Sequence, residues 1–303
     1  MTKILITGSN GLLGQNLLKQ LIRRGDCQIL AISKSPDVYP VKSGYQFVQL
    51  DITQRQDILA ISEFFRPDVV IHAAAMTQVD PCELNPELCM QVNVEGTRNM
   101  ADLATSCSAK FIFISTDFVF DGENGPYSEN DDTCPVSQYG WSKLEAEKIT
   151  QELTVPWAIV RTILVYGLTP AMSRSNLVLW VKNSLEQGQA IRVVEDQFRM
   201  PTLVDDLAWG IIRIMDLKRQ GIYHLSGSEM ASVLDLAVQT AQYFGLDTHL
   251  ISAIHSNELN QPGKRPPATG FILDKAIKEL NYQPKIFTQG LSVVQNLLEK
   301  SEL

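Results

Sequence analysis

The stretch that decides the fold is KILITGSNGLLG, residues 3–14, in which an apolar run passes directly into a glycine-rich turn and then a helical pattern. Glycine suits a turn that is tight, lets the backbone approach a pyrophosphate, and packs a helix close to a strand. The N-terminus of the helix then directs amide groups and a positive dipole at the phosphates. The stretch predicts a dinucleotide-binding turn rather than a turn without a ligand. We expect cofactor contacts from Gly8, Ser9, Asn10, Gly11, Leu12 and Gly14.

Short apolar runs alternate with amphipathic helical patterns through the first half of the chain. The runs cover residues 3–7, 28–33, 46–50, 68–73, 110–115 and 157–161. The helical patterns cover residues 12–24, 54–65, 86–107 and 137–152. Continuous apolar runs are typical of strands buried on both faces of a parallel sheet. The alternation predicts an α/β fold, a Rossmann doubly wound parallel sheet.

The alternation loosens after residue 161, and no Gly/Ser-rich or Pro-rich linker marks a break. We therefore expect a smaller C-terminal substrate-binding lobe joined tightly to the sheet. The predicted NADP-binding Rossmann domain is 1–161, with return segments from about 190–240. The predicted lobe consists mainly of 162–189 and 241–303.

Composition excludes several classes of function. The net charge of −8 and the pI of about 5.1 argue against a nucleic-acid partner, which needs a basic surface. The five cysteines form no CxxC pair and the four histidines have no metal-ligand spacing, so we expect a reducing compartment and no metal. No run approaches the roughly 20 apolar residues that span a bilayer, and the N-terminus has no signal-peptide pattern. We expect a soluble cytoplasmic protein with no membrane partner.

The ends of the next strands predict which dinucleotide binds. An acid after the second strand would hold a ribose 2′-hydroxyl, but Ser33 and Lys34 stand there instead. A hydroxyl and an ammonium suit a 2′-phosphate, so NADP is preferred and NAD stays open. Further contacts are expected at the ends of the third and fourth strands, from Asp51, Ile52, Ala73, Ala74 and Ala75.

A tyrosine and a lysine stand one helical turn apart in QYGWSKLEAEK, residues 138–148. Tyrosine has a pKa near ~10, and a neighbouring ammonium lowers that pKa by stabilising the phenolate. Residues i and i+4 share a helix face, so Tyr139 and Lys143 meet the geometric requirement for a proton-handling pair. Ser115 and Thr116 close the preceding strand and would present hydroxyl groups to the same site.

These motifs together resemble the extended short-chain dehydrogenases/reductases over essentially the full chain, and most closely the dTDP-4-dehydrorhamnose reductase group. The resemblance rests on TGSNGLLG (7–14), HAAAMTQVDPCELNPELCMQVNVEGT (72–97), STDFVFDG (115–122), YGWSK (139–143), RTILVYG (161–167), DQFRMPTLVDDLA (196–208) and KRPPATGFILD (264–274).

The resemblance implies a reductase that uses NADPH on a nucleotide-linked 4-keto-6-deoxy sugar. It implies that Thr116 bonds the substrate oxygen, that Tyr139 transfers the proton, and that Lys143 lowers the tyrosine pKa and bonds the nicotinamide ribose. It also implies a supporting role for Asn93. Substrate contacts are expected from Thr116, Asp117, Arg174, Arg199 and Arg265. Relatives of this kind are often dimers, so the resemblance also allows for a homodimer.

Two departures and two alternatives stay open at this point. Leu164 stands where the family often has tryptophan, and Arg199 stands where glycine is usual, so the sugar is left undecided. A nucleotide-sugar epimerase of the same fold is one alternative, whereas a dehydratase is disfavoured because Phe118, not an acid, follows Asp117. The other alternative is a non-catalytic NADP-binding regulatory subunit that resembles the methionine adenosyltransferase β subunit.

Overall fold

The structure is a computed structural model of the chain that describes residues 1–172 and 174–301. Its strands are β1 (Thr2–Thr7), β2 (Cys27–Ser33), β3 (Gln46–Gln49), β4 (Val69–His72), β5 (Lys110–Thr116), β6 (Trp157–Thr162), β7 (Val165–Tyr166), β8 (Ile191–Val194), β9 (Phe198–Arg199), β10 (Thr202–Leu203), β11 (Gly221–His224), β12 (Ala231–Ser232), β13 (Ile251–Ile254) and β14 (Ala268–Thr269).

The helices are α1 (Leu12–Arg24), α2 (Arg55–Phe64), α3 (Val79–Leu84), α4 (Pro86–Met90), α5 (Gly96–Cys107), α6 (Gln138–Gln151), α7 (Leu177–Glu186), α8 (Val204–Asp216), α9 (Val233–Tyr243), α10 (Asp274–Leu280) and α11 (Phe287–Ser301). A π-helical turn, Gln91–Glu95, joins α4 to α5. The predicted helix over 86–107 therefore contains a π-helical turn.

Seven parallel strands form one sheet in the order β11-β6-β5-β4-β1-β2-β3. The chain leaves β1 in one direction toward β2 and β3, and later returns to the other side of β1 at β4. This reversal opens a crevice at the carboxyl ends of β1 and β4, where open α/β sheets bind ligands. The predicted Rossmann-type α/β fold is confirmed.

Alternate side chains of β1 serve two hydrophobic cores. Ile4 and Ile6 belong to the core that contains α1 and α8, whereas Leu5 belongs to the core that contains α2 and α5. All three side chains are fully buried, which explains why the run has no polar alternation. The sheet is thus a central layer with helices on both faces.

Helix α1 has the limits that the sequence predicts. It begins directly after the glycine turn, with Gly11 as its N-cap, and it ends before Gly25, which takes a left-handed conformation with φ of 70°. The Gly25 amide donates to the carbonyl oxygen of Leu21, which closes the helix. The start of α1 is thereby fixed at the crevice.

A smaller lobe is built around α7, α9 and α11, with β8 paired to β13 and β9 lying between β12 and β14, whereas α10 packs in the core of the large sheet layer. Within the predicted return segments, α8 and β11 join the large sheet layer, whereas β8 joins the smaller lobe. The domain limits stay a prediction, and residues 302 and 303 of the predicted lobe lie outside the described residues. No helix within the described ranges is both long and apolar enough to span a membrane.

The packing of α1 generates a stability prediction. Leu21 is fully buried against the sheet and α8, so Leu21→Ala should lower the free energy of unfolding by about 2–5 kcal/mol. Leu84 is 67% exposed, so Leu84→Ala should change the free energy of unfolding by less than about 0.5 kcal/mol. Chemical denaturation of both variants measures the difference, and equal losses would contradict this assignment of the core.

Candidate active site

The glycine turn is packed so closely that side chains are excluded at two positions. A Cβ atom on Gly8 would lie 2.8 Å from the backbone nitrogen of Ala74, and Gly8 has a φ of +67°. A Cβ atom on Gly14 would lie 2.3 Å from the carbonyl oxygen of Gly8. The turn therefore brings the start of α1 close to both strands of the crevice. The first amide groups of a helix lack partners inside the helix, and such groups suit a pyrophosphate.

The polar residues of the turn anchor it to the segment that follows β2. The Ser9 hydroxyl donates to the carbonyl oxygen of Ile32 at 3.1 Å. The Asn10 amide nitrogen lies 2.8 Å from the hydroxyl oxygen of Ser35 and 2.8 Å from the carbonyl oxygen of Pro36. Ser9 and Asn10 thus hold the shape of the turn with their side chains.

Two residues that were predicted separately as cofactor contacts form an ion pair. The Lys34 amine lies 2.8 Å from a carboxylate oxygen of Asp51, and the Lys34 side chain is 80% exposed. Burial raises the pKa of Asp51, but the Lys34 amine and hydrogen bonds from Thr53 outweigh burial, so the net pKa is lowered. Ser33 ends β2 next to this pair. The pair places one exposed cation at the rim of the crevice.

Ile52 and the alanines after β4 line the same edge of the sheet. Ile52 is buried against Gly96, and its carbonyl oxygen accepts from the Asn99 amide at 2.9 Å. The Ala74 amide donates to the Thr7 hydroxyl at 3.1 Å, which joins the ends of β1 and β4. Ala73, Ala74 and Ala75 are partly buried where the backbones approach most closely.

A hydrogen-bonded chain that the sequence analysis missed lies behind these alanines. The Thr7 hydroxyl lies 2.8 Å from Nδ1 of His72, and Nε2 of His72 lies 3.1 Å from the Thr97 hydroxyl. Burial, with the charge of Lys143 adding to it, lowers the pKa of His72 to about 3, so the ring is neutral. The apolar run that ends in His72 gave no signal of these partners.

Asn93 holds the segment after β4 against α6. Its side-chain oxygen accepts from the Met76 amide at 2.7 Å, and its side-chain nitrogen donates to the Met76 carbonyl oxygen at 3.0 Å and to the Ser142 hydroxyl at 2.8 Å. Asn93 lies in the π-helical turn, a feature frequent at functional sites. These contacts agree with the expected supporting role, while direct cofactor contact by Asn93 stays a prediction.

The start of α6 places the tyrosine at the end of β5. The Ser137 hydroxyl caps the helix by accepting from the Gly140 amide at 3.2 Å. A Cβ atom on Gly140 would lie 2.2 Å from the carbonyl oxygen of Phe118, so only glycine lets the helix approach this closely. The Tyr139 ring then packs edge-on against Phe118 with centroids 5.7 Å apart, and Thr116 hydrogen-bonds Tyr139.

The pKa of Tyr139 is set by burial in this structure. Burial raises that pKa above its ordinary value, and the hydrogen bond with Thr116 partly opposes the rise. The Lys143 amine instead donates to the carbonyl oxygen of Ile114 at 2.7 Å and lies 4.0 Å from the Phe113 ring centroid. This differs from the lowering of the Tyr139 pKa that the spacing predicts, because the desolvation of the phenol dominates. Lowering by Lys143 stays a prediction for the cofactor-bound protein.

Lys143 shares α6 with a buried carboxylate that the sequence analysis did not single out. Burial lowers the pKa of Lys143 to about 7, and the charge of Glu147 opposes this effect. Glu147 pairs with Arg161 at 2.7 Å and accepts from the Ser115 hydroxyl. The predicted cofactor residue Ser115 thus has its hydroxyl directed to Glu147. The four-residue spacing from Lys143 to Glu147 was the feature of the sequence that could have identified Glu147.

The residues predicted to bind substrate differ in their burial and in their hydrogen-bond partners. Asp117 is buried and accepts from the hydroxyls of Thr116 and Thr269; burial raises its pKa, and the charge of Arg199 opposes the rise. Arg265 binds both carboxylate oxygens of Asp80, at 2.6 and 2.7 Å. Arg174 lies at the surface, 3.4 Å from the Thr77 hydroxyl.

Arg199, which is expected to bind the substrate, is buried among backbone carbonyl groups. It is 4% exposed, and its guanidinium donates to the carbonyl oxygens of Phe198 and Pro266, each at 2.7 Å, and of Pro267 at 3.2 Å. These acceptors occupy the guanidinium inside the protein, so Arg199 fixes the segment that carries Arg265. Arg265 in turn lies on a cleft of about 380 Å³, whose other polar lining residues are Asp121, Glu123, Gln197, Ser256, Asn257, Gln261 and Lys264.

Comparison with known proteins places this site in a family. The family model for the RmlD substrate binding domain matches residues 1–299. A dTDP-4-dehydrorhamnose reductase of Aggregatibacter actinomycetemcomitans is 30% identical over 311 residues, which cover 99% of this chain and 100% of that protein. Methionine adenosyltransferase 2 subunit beta of Xenopus laevis is 30% identical over 254 residues, 82% of this chain and 74% of that protein.

A solved structure agrees with this assignment. The dTDP-4-dehydrorhamnose reductase of Bacillus anthracis in complex with NADP superposes with a TM-score of 0.87 at 28% identity, covering 98% of this chain and 100% of that one. The chain therefore belongs to the dTDP-4-dehydrorhamnose reductase family of the extended short-chain dehydrogenases/reductases.

Proposed function

We propose that the protein reduces a nucleotide-linked 4-keto-6-deoxy sugar with NADPH. The observation that carries the proposal is the grouping of Thr116, Tyr139 and Lys143 at the carboxyl end of β5, one strand from the crevice that holds the glycine turn. A hydroxyl, a phenol and an amine in this order suit the protonation of a carbonyl oxygen. The family relationship supports the same chemistry.

The turn fits a dinucleotide phosphate. Gly8 and Gly14 present bare backbone where a Cβ atom would meet neighbouring backbone within 3 Å, and α1 begins at this point. Lys34 would hold the 2′-phosphate of NADP at the rim, since its side chain is 80% exposed. When bound, the nicotinamide supplies the hydride.

Each residue of the site has its own role in protonating the substrate oxygen. Because burial raises the pKa of Tyr139, its phenol is protonated near neutral pH and can donate to the more basic alkoxide that develops on the substrate. The Thr116 hydroxyl donates a hydrogen bond to the same oxygen, which stabilises the developing charge. Lys143 contributes a buried positive charge on the same helix face.

The second lobe would hold the nucleotide. Arg265 lies on the cleft and would bind a diphosphate by exchanging its pairing with Asp80, whereas Arg199 supports the segment from inside. Asp117 would bond the sugar, a role supported by the contact between its carboxylate and the Thr116 hydroxyl. A homodimer and a cytoplasmic location are further parts of this proposal, by analogy with relatives.

The direct experiment is a screen of nucleotide-linked keto sugars with NADPH and NADH in parallel. We expect oxidation of NADPH with dTDP-4-keto-6-deoxy sugars, and slower oxidation of NADH. Tight NADP binding without turnover of any keto sugar would overturn the enzyme assignment and favour a regulatory subunit, the alternative raised by the methionine adenosyltransferase relative. Interconversion of sugar epimers without net oxidation of NADPH would instead indicate an epimerase.

The tyrosine role predicts the effect of one variant. Tyr139→Phe should lower kcat by roughly 10² or more, because general acid catalysis contributes about that factor, while NADPH affinity stays within about twofold. Steady-state kinetics and a binding titration measure the two quantities. Tyr243→Phe, in α9 of the smaller lobe, is the matched control and should retain the parental rate. Full activity of Tyr139→Phe would exclude the proton-transfer role.

If Lys34 binds the 2′-phosphate, its removal should change the preference for NADPH over NADH. Lys34→Ala should raise the Kd of NADPH roughly tenfold and leave the Kd of NADH almost unchanged, because only NADPH carries the 2′-phosphate. Lys148→Ala removes an exposed lysine on α6 and serves as the control. Fluorescence titration gives both constants, and an equal loss of affinity for the two cofactors would count against a phosphate contact.

A further inference from the structure

One face of α6 carries three titratable side chains at four-residue intervals. Tyr139, Lys143 and Glu147 are 9%, 3% and 0% exposed. Residues at i and i+4 lie on one helix face, so the buried carboxylate follows the amine as the amine follows the phenol. The proposed chemistry uses only the first two members of this row.

Glu147 is held by two neighbouring strands. Ser115 on β5 and Arg161 on β6 are register partners, and both reach the Glu147 carboxylate. The Ser115 hydroxyl donates to Oε1 at 2.5 Å; Nε of Arg161 donates to Oε1 at 2.9 Å and Nη2 donates to Oε2 at 2.7 Å. These three bonds fix the carboxylate in position inside the protein.

The Lys143 amine has fewer hydrogen-bond partners that stabilise its charge than the Glu147 carboxylate has. Its hydrogen bond goes to the neutral carbonyl oxygen of Ile114, and the Phe113 ring lies against it. A buried amine without a nearby negative charge loses its proton easily, because burial disfavours the charged form. The charge of Glu147 is the strongest influence that opposes this loss.

We propose that Glu147 is a positioning residue for the reduction, because its buried carboxylate, held by Ser115 and Arg161 one helical turn from Lys143, keeps the Lys143 amine charged on the α6 face that carries Tyr139. This role rests on the proposed function. It does not require Glu147 to touch substrate or cofactor. Arg161 serves as the anchor that makes a buried carboxylate tolerable at this position.

Three further titratable groups lie on the elements packed around Lys143. His72 on β4 is neutral and adds no charge, since burial lowers its pKa to about 3. The Cys82 thiol on α3 and the Cys89 thiol on α4 raise the pKa of Lys143 when ionised. The interaction with Cys82 lowers the pKa of Cys89 despite burial, so Cys89 is the more readily ionised of the two thiols.

The direct test follows the Lys143 amine by NMR in protein labelled with ¹³Cε-lysine, with the resonance assigned by its loss in Lys143→Arg. We expect a parental midpoint near 7 and a midpoint about one pH unit lower in Glu147→Gln. The comparison is repeated in a Cys89→Ser background, so that the thiol does not titrate alongside. An unchanged midpoint in Glu147→Gln would overturn the proposal.

The matched control is Glu145→Gln, which removes an exposed carboxylate paired with Lys148 on the same helix. Its Lys143 midpoint and its activity should equal those of the parent. A shift as large as that of Glu147→Gln would mean that any charge on α6 has the same effect, and that Glu147 has no special role.

A second variant keeps the test valid if Glu147→Gln fails to fold because Arg161 is left unpaired. Glu147→Gln/Arg161→Met removes both buried charges, a change that folded proteins often tolerate. The Lys143 midpoint should again lie below the parental value, because the carboxylate is absent. A parental midpoint in the folded double variant would contradict the role of the carboxylate.

The kinetic readout separates this inference from the proposed function. If the charged amine is required, kcat/KM falls as pH rises through the Lys143 pKa, and Glu147→Gln should lose activity at lower pH while retaining most of it in the acid range. Parental turnover with superimposable pH profiles would refute the inference alone. A lack of parental turnover would refute the proposed function, and the NMR midpoints would still decide the role of Glu147.

Discussion

The contact between the start of α6 and the end of β5 is the constraint on which the site depends. A Cβ atom at position 140 would lie 2.2 Å from the carbonyl oxygen of Phe118, so only glycine permits this approach. The approach brings Tyr139 to Thr116 and lets the Lys143 amine reach the carbonyl oxygen of Ile114. A side chain at position 140 would move the phenol and the amine together away from the strand that orients them.

Burial then determines the charge state of the whole site. The same desolvation raises the pKa of Tyr139, lowers the pKa of Lys143 and keeps His72 neutral. A protonated phenol suits a reductase, because the reaction in this direction needs a proton donor. The Glu147 carboxylate, fixed by its pairing with Arg161, opposes the effect of burial on the amine.

Local patterns in the sequence were sufficient to predict the framework, whereas the roles of the site residues stay predictions. The limits of α1 follow from Gly11 and Gly25, and the apolar runs match the strands because both faces of the sheet are covered. Side-chain partners could not be predicted, since they join distant segments. Lys34 and Asp51 pair with each other, and Arg199 donates to the carbonyl oxygen of Pro266, 67 residues away in the chain. Strand β11, Gly221–His224, lacks the continuous apolar run that marks β4, so it was not recognised from its sequence alone.

The account as a whole depends on delivery of a hydride to a sugar carbonyl beside Tyr139. The most direct measurement incubates the protein with a dTDP-4-keto-6-deoxy sugar and NADPH deuterated at the transferable position, and locates the label in the sugar by NMR. We expect one deuterium at C4 of the product for each NADPH consumed. Deuterium that remains on the cofactor, or that enters the sugar at another carbon, would contradict the account.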